Sequence, residues 1–342
     1  MRLDELGWNE RFAKDFDALG SKDDVQPARV GIGFNHIYRV YVEAGEFDAT
    51  LAGRFKHQVV NRSELPAVGD WVAVRKQPDE EAGAILAVLP RRTRFSRKAA
   101  GNLTDEQVVA ANVDVVFIVM ALDQDFNLRR LERYLLLARE SGADPVILLT
   151  KLDLCADIET KLREVATLSG ALPVHVLSPK LNEGIALVAA YLTAGRTAAL
   201  LGSSGVGKTT IINRLAGDEA RKTREVREAD SRGRHTTTHR ELVVLPGGGL
   251  IIDTPGMREL QLWDVGDAVR ETFDDIELLA PQCHFTACRH IDEPRCAVKA
   301  AVADGGLAAE RLASYVKLMA EVADLDEKRR LKPFRAPRKG SR

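Results

Sequence analysis

Eight residues, Gly202-Ser203-Ser204-Gly205-Val206-Gly207-Lys208-Thr209, fit the pattern G-x-x-x-x-G-K-[ST]. The apolar run Thr197 to Leu201 predicts a buried strand before them, and Thr209 to Ala216 predicts a helix stopped by Gly217. A glycine-rich loop between strand and helix lets successive backbone N–H groups approach phosphates at the positive end of the helix. Lys208 would reach the β- and γ-phosphates, the Thr209 hydroxyl would ligate Mg²⁺, and Thr210 follows it against the nucleotide. Asp253-Thr254-Pro255-Gly256 comes after a second apolar run, Gly249 to Ile252, and so lies at the carboxyl end of a strand, where open α/β sheets bind ligands. There Asp253 would hold Mg²⁺ through water, and the Gly256 N–H would bond the γ-phosphate. A third strand, Val146 to Leu149, delivers Thr150-Lys151-Leu152-Asp153 to the same edge. A carboxylate at Asp153 accepts from both the ring N–H and the exocyclic amine of guanine. Adenine offers the wrong donor pattern, so the expected nucleotide is GTP. Lys151 would lie over the base plane, while Thr150 stands where an NKxD motif has Asn. Ser178, in Ser178-Pro179-Lys180 after the strand Val174 to Leu177, is placed like the serine of a SAK loop that contacts the guanine carbonyl.

These motifs occur in an unusual order. In an ordinary small GTPase the phosphate loop comes first and the base-reading motif near the end; here TKxD precedes the phosphate loop, which predicts a circularly permuted domain. Between the phosphate loop and Asp253, residues 221–240 are almost devoid of apolar side chains and suit a switch segment. One of Thr236 to Thr238, with Thr237 central, would close on Mg²⁺ when the γ-phosphate is present. The position after Asp-Thr-Pro-Gly, often a water-orienting Gln, is Met257. His235 is the candidate to orient water instead, and an exposed loop histidine or one that contacts a partner is an equal alternative. A low intrinsic rate is expected in either case.

Cys283, Cys288, His290 and Cys296 supply three thiolates and one imidazole within fourteen residues, the four ligands of a closed tetrahedral Zn²⁺ site. With no open position the zinc is expected to be structural. His284 is a substitute ligand that its adjacency to Cys283 makes awkward. Cys155 stands apart and is expected to act as a small buried hydrophobe.

The length of 342 residues exceeds what one core usually spans, so several units must position these groups. Residues 1–27 predict a helical arm whose Leu6, Trp8, Phe12 and Phe16 pack at helical spacing. Residues 28–98 carry short β-type runs punctuated by glycine, suited to a small closed barrel; an OB-fold and an SH3-like barrel fit nearly equally. Arg54, Lys56, His57, Arg62 and the stretch Arg91 to Lys98, with Phe95 interleaved, suit RNA phosphates and one stacked base, or simply a solvated linker. Residues 99–270 form the nucleotide domain, beginning with the buried strand Val113 to Met120. Residues 271–327 hold the metal cluster and a helical stretch. The tail, 328–342, carries eight positive charges and no acid against a formal total of −1, so an overall near-neutral chain conceals a segment drawn to RNA. No apolar run is long enough to span a membrane, none resembles a signal peptide, and the cysteines do not form a disulfide framework; a cytoplasmic protein is expected.

With Gly233 to Leu242 (GRHTTTHREL), Leu245 to Gly249 (LPGGG), Asp253 to Leu260 (DTPGMREL), the permuted order and the cysteine cluster together, the chain resembles the RsgA family of small-ribosomal-subunit-dependent GTPases. The resemblance implies a multidomain α/β protein with an N-terminal OB-type β-barrel, a circularly permuted P-loop GTPase domain and a C-terminal helical zinc-binding domain. It also implies GTP hydrolysis to GDP and phosphate, stimulated by the small ribosomal subunit and its rRNA during late maturation, by a monomer that holds Mg²⁺ with GTP. A zinc-containing RNA-binding protein that only senses GTP is the alternative.

Overall fold

The computed structural model describes residues 1–20, 24–34, 36–76, 82–98, 106–217, 240–253, 269 and 272–330. Near the amino terminus, Asn9 caps helix α1 (Glu10–Asp17) by accepting from the Arg11 and Phe12 N–H groups, a cap worth about 1 kcal/mol. Leu6 and Phe12 are buried, and Trp8 and Phe12 lie 4.7 and 5.9 Å from the Trp71 ring. The aromatic stripe of the arm is therefore packing, spent on the barrel that follows.

That barrel comprises β1 (Val25–Phe34), β2 (Ile37–Val42), β3 (Gly45–Leu51), β4 (Trp71–Arg75) and β5 (Gly83–Val88), with helix α2 (Gly53–Gln58) between β3 and β4. The order is β1-β2-β3-β5-β4, and β4 pairs back onto β1 to close the ring. Closure removes the exposed strand edges. The parallel β3–β5 pair and the helix before β4 decide for the OB arrangement over the SH3-like one. Ala28, Val30, Val40, Val42, Ala49, Val72, Val74 and Ile85 alternate inward to fill it.

A hairpin, β6 (Arg94–Lys98) and β7 (Glu106–Ala111), leads to the nucleotide-binding sheet. Its strands are β8 (Val115–Ala121), β9 (Asp144–Thr150), β10 (Val174–Val176), β11 (Thr197–Leu201), β12 (Glu241–Val244) and β13 (Leu250–Asp253). They run in the order β10-β9-β8-β11-β13-β12, parallel except for β12. Along β8, Val116, Ile118 and Met120 face one core while Val115, Phe117 and Val119 face another, which is why the strand reads as continuously apolar. Helices α3 (Leu128–Ser141) and α4 (Ile158–Ser169) cover the first face. Helix α5 (Ile185–Ala189) and helix α6, over 208–217, cover the second.

Helices α7 (Asp274–Leu279), α8 (Ala297–Ala303) and α9 (Ala309–Arg330) form the carboxyl-terminal part. Phe273, Ile276, Val298, Tyr315 and Leu318 join the same apolar cluster as α3. Arg311 of α9 fastens the contact with ion pairs to Asp275 and, at 3.2 Å, to Glu132 of α3. No helix among the described residues is long and apolar enough to cross a membrane.

Candidate functional site

The carboxyl ends of β8, β9, β11 and β13 bring the nucleotide motifs together. Between β11 and α6, Gly202 (φ 153°) and Gly207 (φ 100°) take left-handed or related backbone. A Cβ on Gly202 would stand 2.3 Å from the Val119 carbonyl oxygen, so only glycine lets the loop leave the sheet at this angle. Val206 is buried beneath the loop, whereas Ser204 and Gly205 are exposed at its crest and Ser203 is half-buried. Lys208 opens α6, and its Nζ donates to the Gly202 carbonyl at 2.6 Å and to that of Ser203. Its ammonium thus sits over the loop mouth, where phosphate oxygens would replace those carbonyls as acceptors. Thr209 and Thr210 are exposed on the first turn, as a hydroxyl ligand requires.

Thr150 is fully buried, and its hydroxyl donates to the Val206 carbonyl at 2.6 Å. The threonine therefore ties the base-reading loop directly to the phosphate loop. Lys151 is left-handed (φ 61°), which turns the chain into the short 3₁₀ segment Leu152–Leu154 and presents Asp153 outward. The Lys151 Nζ pairs with Asp123 at 2.7 Å, and that hydrogen bond holds the Asp123 carboxyl below its usual range. Ser178 is buried, and its hydroxyl donates to Asp153 Oδ1 at 2.6 Å. This bond is the first cause of the lowered Asp153 pKa, which keeps the carboxylate charged and acceptor-only. The Pro179 and Lys180 carbonyls accept from the Arg214 guanidinium of α6 at 3.1 and 3.0 Å. Pro179, having no N–H to offer, serves by its carbonyl alone.

Asp253 ends β13 opposite Glu241 of β12, on the same edge. Thr237, His235, Gly256 and Met257 lie outside the described residues, as does the tail from 331 onward. The supporting groups not foreseen in the sequence are Asp123, Arg130 and Arg214. Arg130 pairs with Asp125 at 2.6 Å and donates to the Ser203 hydroxyl, so it braces the phosphate loop from the start of α3. Asp123 follows the end of β8, and that placement alone could have marked it.

From thirty residues beyond β13 onward, the four expected metal ligands meet. Ligand atoms of Cys283, Cys288, His290 and Cys296 all lie within 4.8 Å of one another. The His290 Nδ1 is 3.6 Å from Cys283 Sγ and 3.3 Å from Cys296 Sγ, which are 3.8 Å apart. Tetrahedral Zn²⁺ with thiolates separates its ligand atoms by about 3.8 Å, so the donor set and its spacing fit that ion. Burial pushes the His290 pKa down, leaving the neutral imidazole that metal ligation uses. His284 is not part of the cluster.

A family profile described as RsgA GTPase matches residues 88–263. The small ribosomal subunit biogenesis GTPase RsgA of Opitutus terrae is 50% identical over 332 residues, covering 94% of this chain and 90% of that protein. The protein of the same name from Syntrophotalea carbinolica is 44% identical over 334 residues, with 94% and 90% covered. This chain belongs to the RsgA GTPase family. Among solved structures, YjeQ from Thermotoga maritima is 29% identical with a TM-score of 0.63, covering 87% of this chain and 99% of that one. YloQ, described as a circularly permuted GTPase, is 27% identical with a TM-score of 0.61, covering 88% and 96%. As an RsgA GTPase the chain is a GTP-hydrolysing enzyme with a permuted core, and the order in which its motifs occur has its explanation. One expectation is overturned within this RsgA fold. Phe95 is 2% exposed and belongs to the core, so it offers no face to a base. Cys155 is half-buried against the same core.

Proposed function

We propose that this GTPase acts on the small ribosomal subunit during its late maturation, binding the subunit and its rRNA as a cytoplasmic monomer. The names of its relatives support this, as does an architecture that flanks the GTPase sheet with an OB barrel and a metal-binding helical part. The observation that carries the nucleotide reading is the Ser178–Asp153 bond beside a phosphate loop tied to it through Thr150. In this reading the units are 1–27, 28–98, 99–270, 271–327 and 328–342. Backbone N–H groups of Gly202 to Gly207 and the Lys208 ammonium bind the phosphates, and Asp153 and Ser178 with Lys151 read guanine. Mg²⁺, when bound with GTP, neutralises charge developing on the β- and γ-oxygens. Thr209, Thr237 and Asp253 would hold it, and the Gly256 N–H would meet the γ-phosphate. His235 orients the attacking water. Cys283, Cys288, His290 and Cys296 hold one structural Zn²⁺.

The test compares GTP and ATP turnover with and without purified small ribosomal subunits. The expected result is slow GTP hydrolysis that the subunit accelerates, with ATP inert. Equal turnover of both nucleotides, or indifference to the subunit, would refute the reading. His235→Ala is expected to lower the stimulated kcat while leaving GTP affinity near its parent value; an unchanged kcat removes that residue from the mechanism.

A further inference from the structure

Pro179 stands where a SAK loop has Ala, and the turn around it fixes which hydrogen-bond donors that loop keeps. The Leu181 N–H donates to the Ser178 carbonyl at 3.0 Å, so residues 178–181 form a β-turn with Pro179 at its second position, where a fixed φ is favoured. Ser178 is held from the other side as well. Its N–H donates to the Glu183 carbonyl at 3.2 Å, and the Glu183 N–H donates back at 3.0 Å. Arg214 of α6 grips the turn from outside. Its Nε donates to the Pro179 carbonyl at 3.1 Å and its Nη2 to the Lys180 carbonyl at 3.0 Å, a fork that a planar guanidinium makes and a single ammonium does not.

Guanine asks for more than the Asp153 carboxylate. Asp153 answers the ring N–H and the exocyclic amine, and the next group along that edge of the base is the six-carbonyl, which needs a donor. The Ser178 hydroxyl gives its one hydrogen to Asp153 Oδ1 at 2.6 Å, and Pro179 has no N–H. The Leu181 N–H is closed into the turn, and the Asn182 N–H donates to the Pro179 carbonyl at 3.3 Å. That leaves the Lys180 N–H, from which nothing among the described residues accepts. The peptide between Pro179 and Lys180 is trans and planar, so its N–H points opposite to its carbonyl. With the carbonyl turned to Arg214, the N–H faces away from α6. A cation on the carbonyl end also polarises the peptide and strengthens the N–H as a donor.

We propose that the Lys180 backbone N–H reads the six-carbonyl of guanine and that Arg214 is the positioning residue that aims it. Arg214 stands on the helix whose first turn offers Lys208 and Thr209 to the phosphates, so that one helix holds the phosphate end directly and the base end through the turn. The inference rests on the guanine reading at Asp153 and adds the group that tells a carbonyl from an amine at position six.

The experiment measures the Kd of GTP, ITP and 6-thioguanosine triphosphate for each full-length chain by displacement of a fluorescent GDP analogue. ITP lacks the exocyclic amine and reports on Asp153. The thio analogue keeps both guanine donors and replaces the carbonyl oxygen by sulfur, a weak acceptor. The parent is expected to prefer GTP over the thio analogue about five-fold, the scale of one neutral hydrogen bond, and over ITP by more, because that bond is to a carboxylate. Arg214→Met should abolish the preference over the thio analogue and keep most of that over ITP, since Glu183 holds Ser178 without it. Arg214→Lys, able to hold one carbonyl, should fall between. Arg214 is exposed, so its replacement takes no packing from a core and the thermal midpoint should stay near the parent's. A parent that binds GTP and the thio analogue equally, yet prefers GTP over ITP, overturns the carbonyl contact and leaves the Asp153 reading standing. Equal weakening of all three nucleotides in Arg214→Met, with both preferences intact, makes Arg214 a structural brace and overturns its positioning role. If the parent shows no preference for GTP over ITP, the Asp153 reading falls and takes the Lys180 contact with it.

Discussion

Asp153 and Thr150 do different work three residues apart, and the difference is visible in what each hydroxyl or carboxylate touches. The Asp153 carboxylate is aimed outward and steadied by Ser178, so its free lone pairs are available to a base. Asp153→Asn is expected to weaken GTP about 10–100-fold, the cost of charge-assisted hydrogen bonds, and to favour xanthosine nucleotides because an amide donates where the carboxylate accepted. Competition of GTP against XTP checks this; retained GTP preference would move guanine reading elsewhere. Because the Asp153 pKa is lowered, its recognition should be fully present at neutral pH and fade only as pH falls below the ordinary carboxylate range. Thr150 is instead buried against the Val206 carbonyl. Thr150→Val keeps the shape and orphans that carbonyl, with an expected loss of about 1–3 kcal/mol in stability and a raised GTP Kd, read by thermal unfolding and nucleotide titration. In the sequence Thr150 stands where an NKxD motif has Asn. Which group substitutes for the asparagine became visible only in three dimensions, because Val206 is 56 positions away.

At the scale of elements, legibility followed locality. The phosphate loop could be read because phosphate binding demands glycines and Lys-Thr at fixed spacing between a strand and a helix. The four candidate metal ligands could be read because they fall close together in the chain and their donor chemistry is specific. The choice between an OB and an SH3-like barrel could not, since it turns on β3 pairing with β5 across an intervening helix and strand. Phe95 was misread for another reason. It alternates with Arg94 and Ser96 along β6, and that period of two already turns the ring to the face opposite the arginine. The metal cluster likewise has more than local reach, because α7, α8 and α9 share the α3 core. Chelation, or Cys288→Ala, is therefore expected to lower the thermal midpoint and to reduce subunit-stimulated hydrolysis much more than GTP affinity. Full stimulation of the chelator-treated chain would make this part a passive appendage.

Over the whole molecule, one buried cation stands where arm, barrel and GTPase sheet meet. Arg29 is 1% exposed on β1, yet it donates to the Leu6 carbonyl at 2.7 Å, the Asn112 carbonyl at 3.1 Å and the Thr197 hydroxyl at 3.2 Å. Its guanidinium also lies 5.3 Å from the Trp71 ring. Burial pushes its pKa down to about 10, against the pull of Asp114 and Asp70, so it stays charged at neutral pH and its desolvation must be offset by these contacts. They join four segments that are distant in sequence, while the sheets themselves meet through the Ile32–Glu241 pairing. Rigid placement of the barrel against the GTPase sheet should then depend on Arg29 more than on any surface ion pair. Arg29→Ala leaves two carbonyls without a donor and a cavity beside Trp71, an expected loss on the order of 2–5 kcal/mol. Arg29→Met, which keeps volume and removes the desolvated charge, should lose less. Calorimetry of both variants reads a second consequence: with the shared node gone, the barrel and the GTPase sheet are expected to unfold in separate transitions. A single transition at the parent midpoint in Arg29→Ala would show that the units are held together without it, and that the barrel's position is fixed by the strand pairing and the aromatic arm alone.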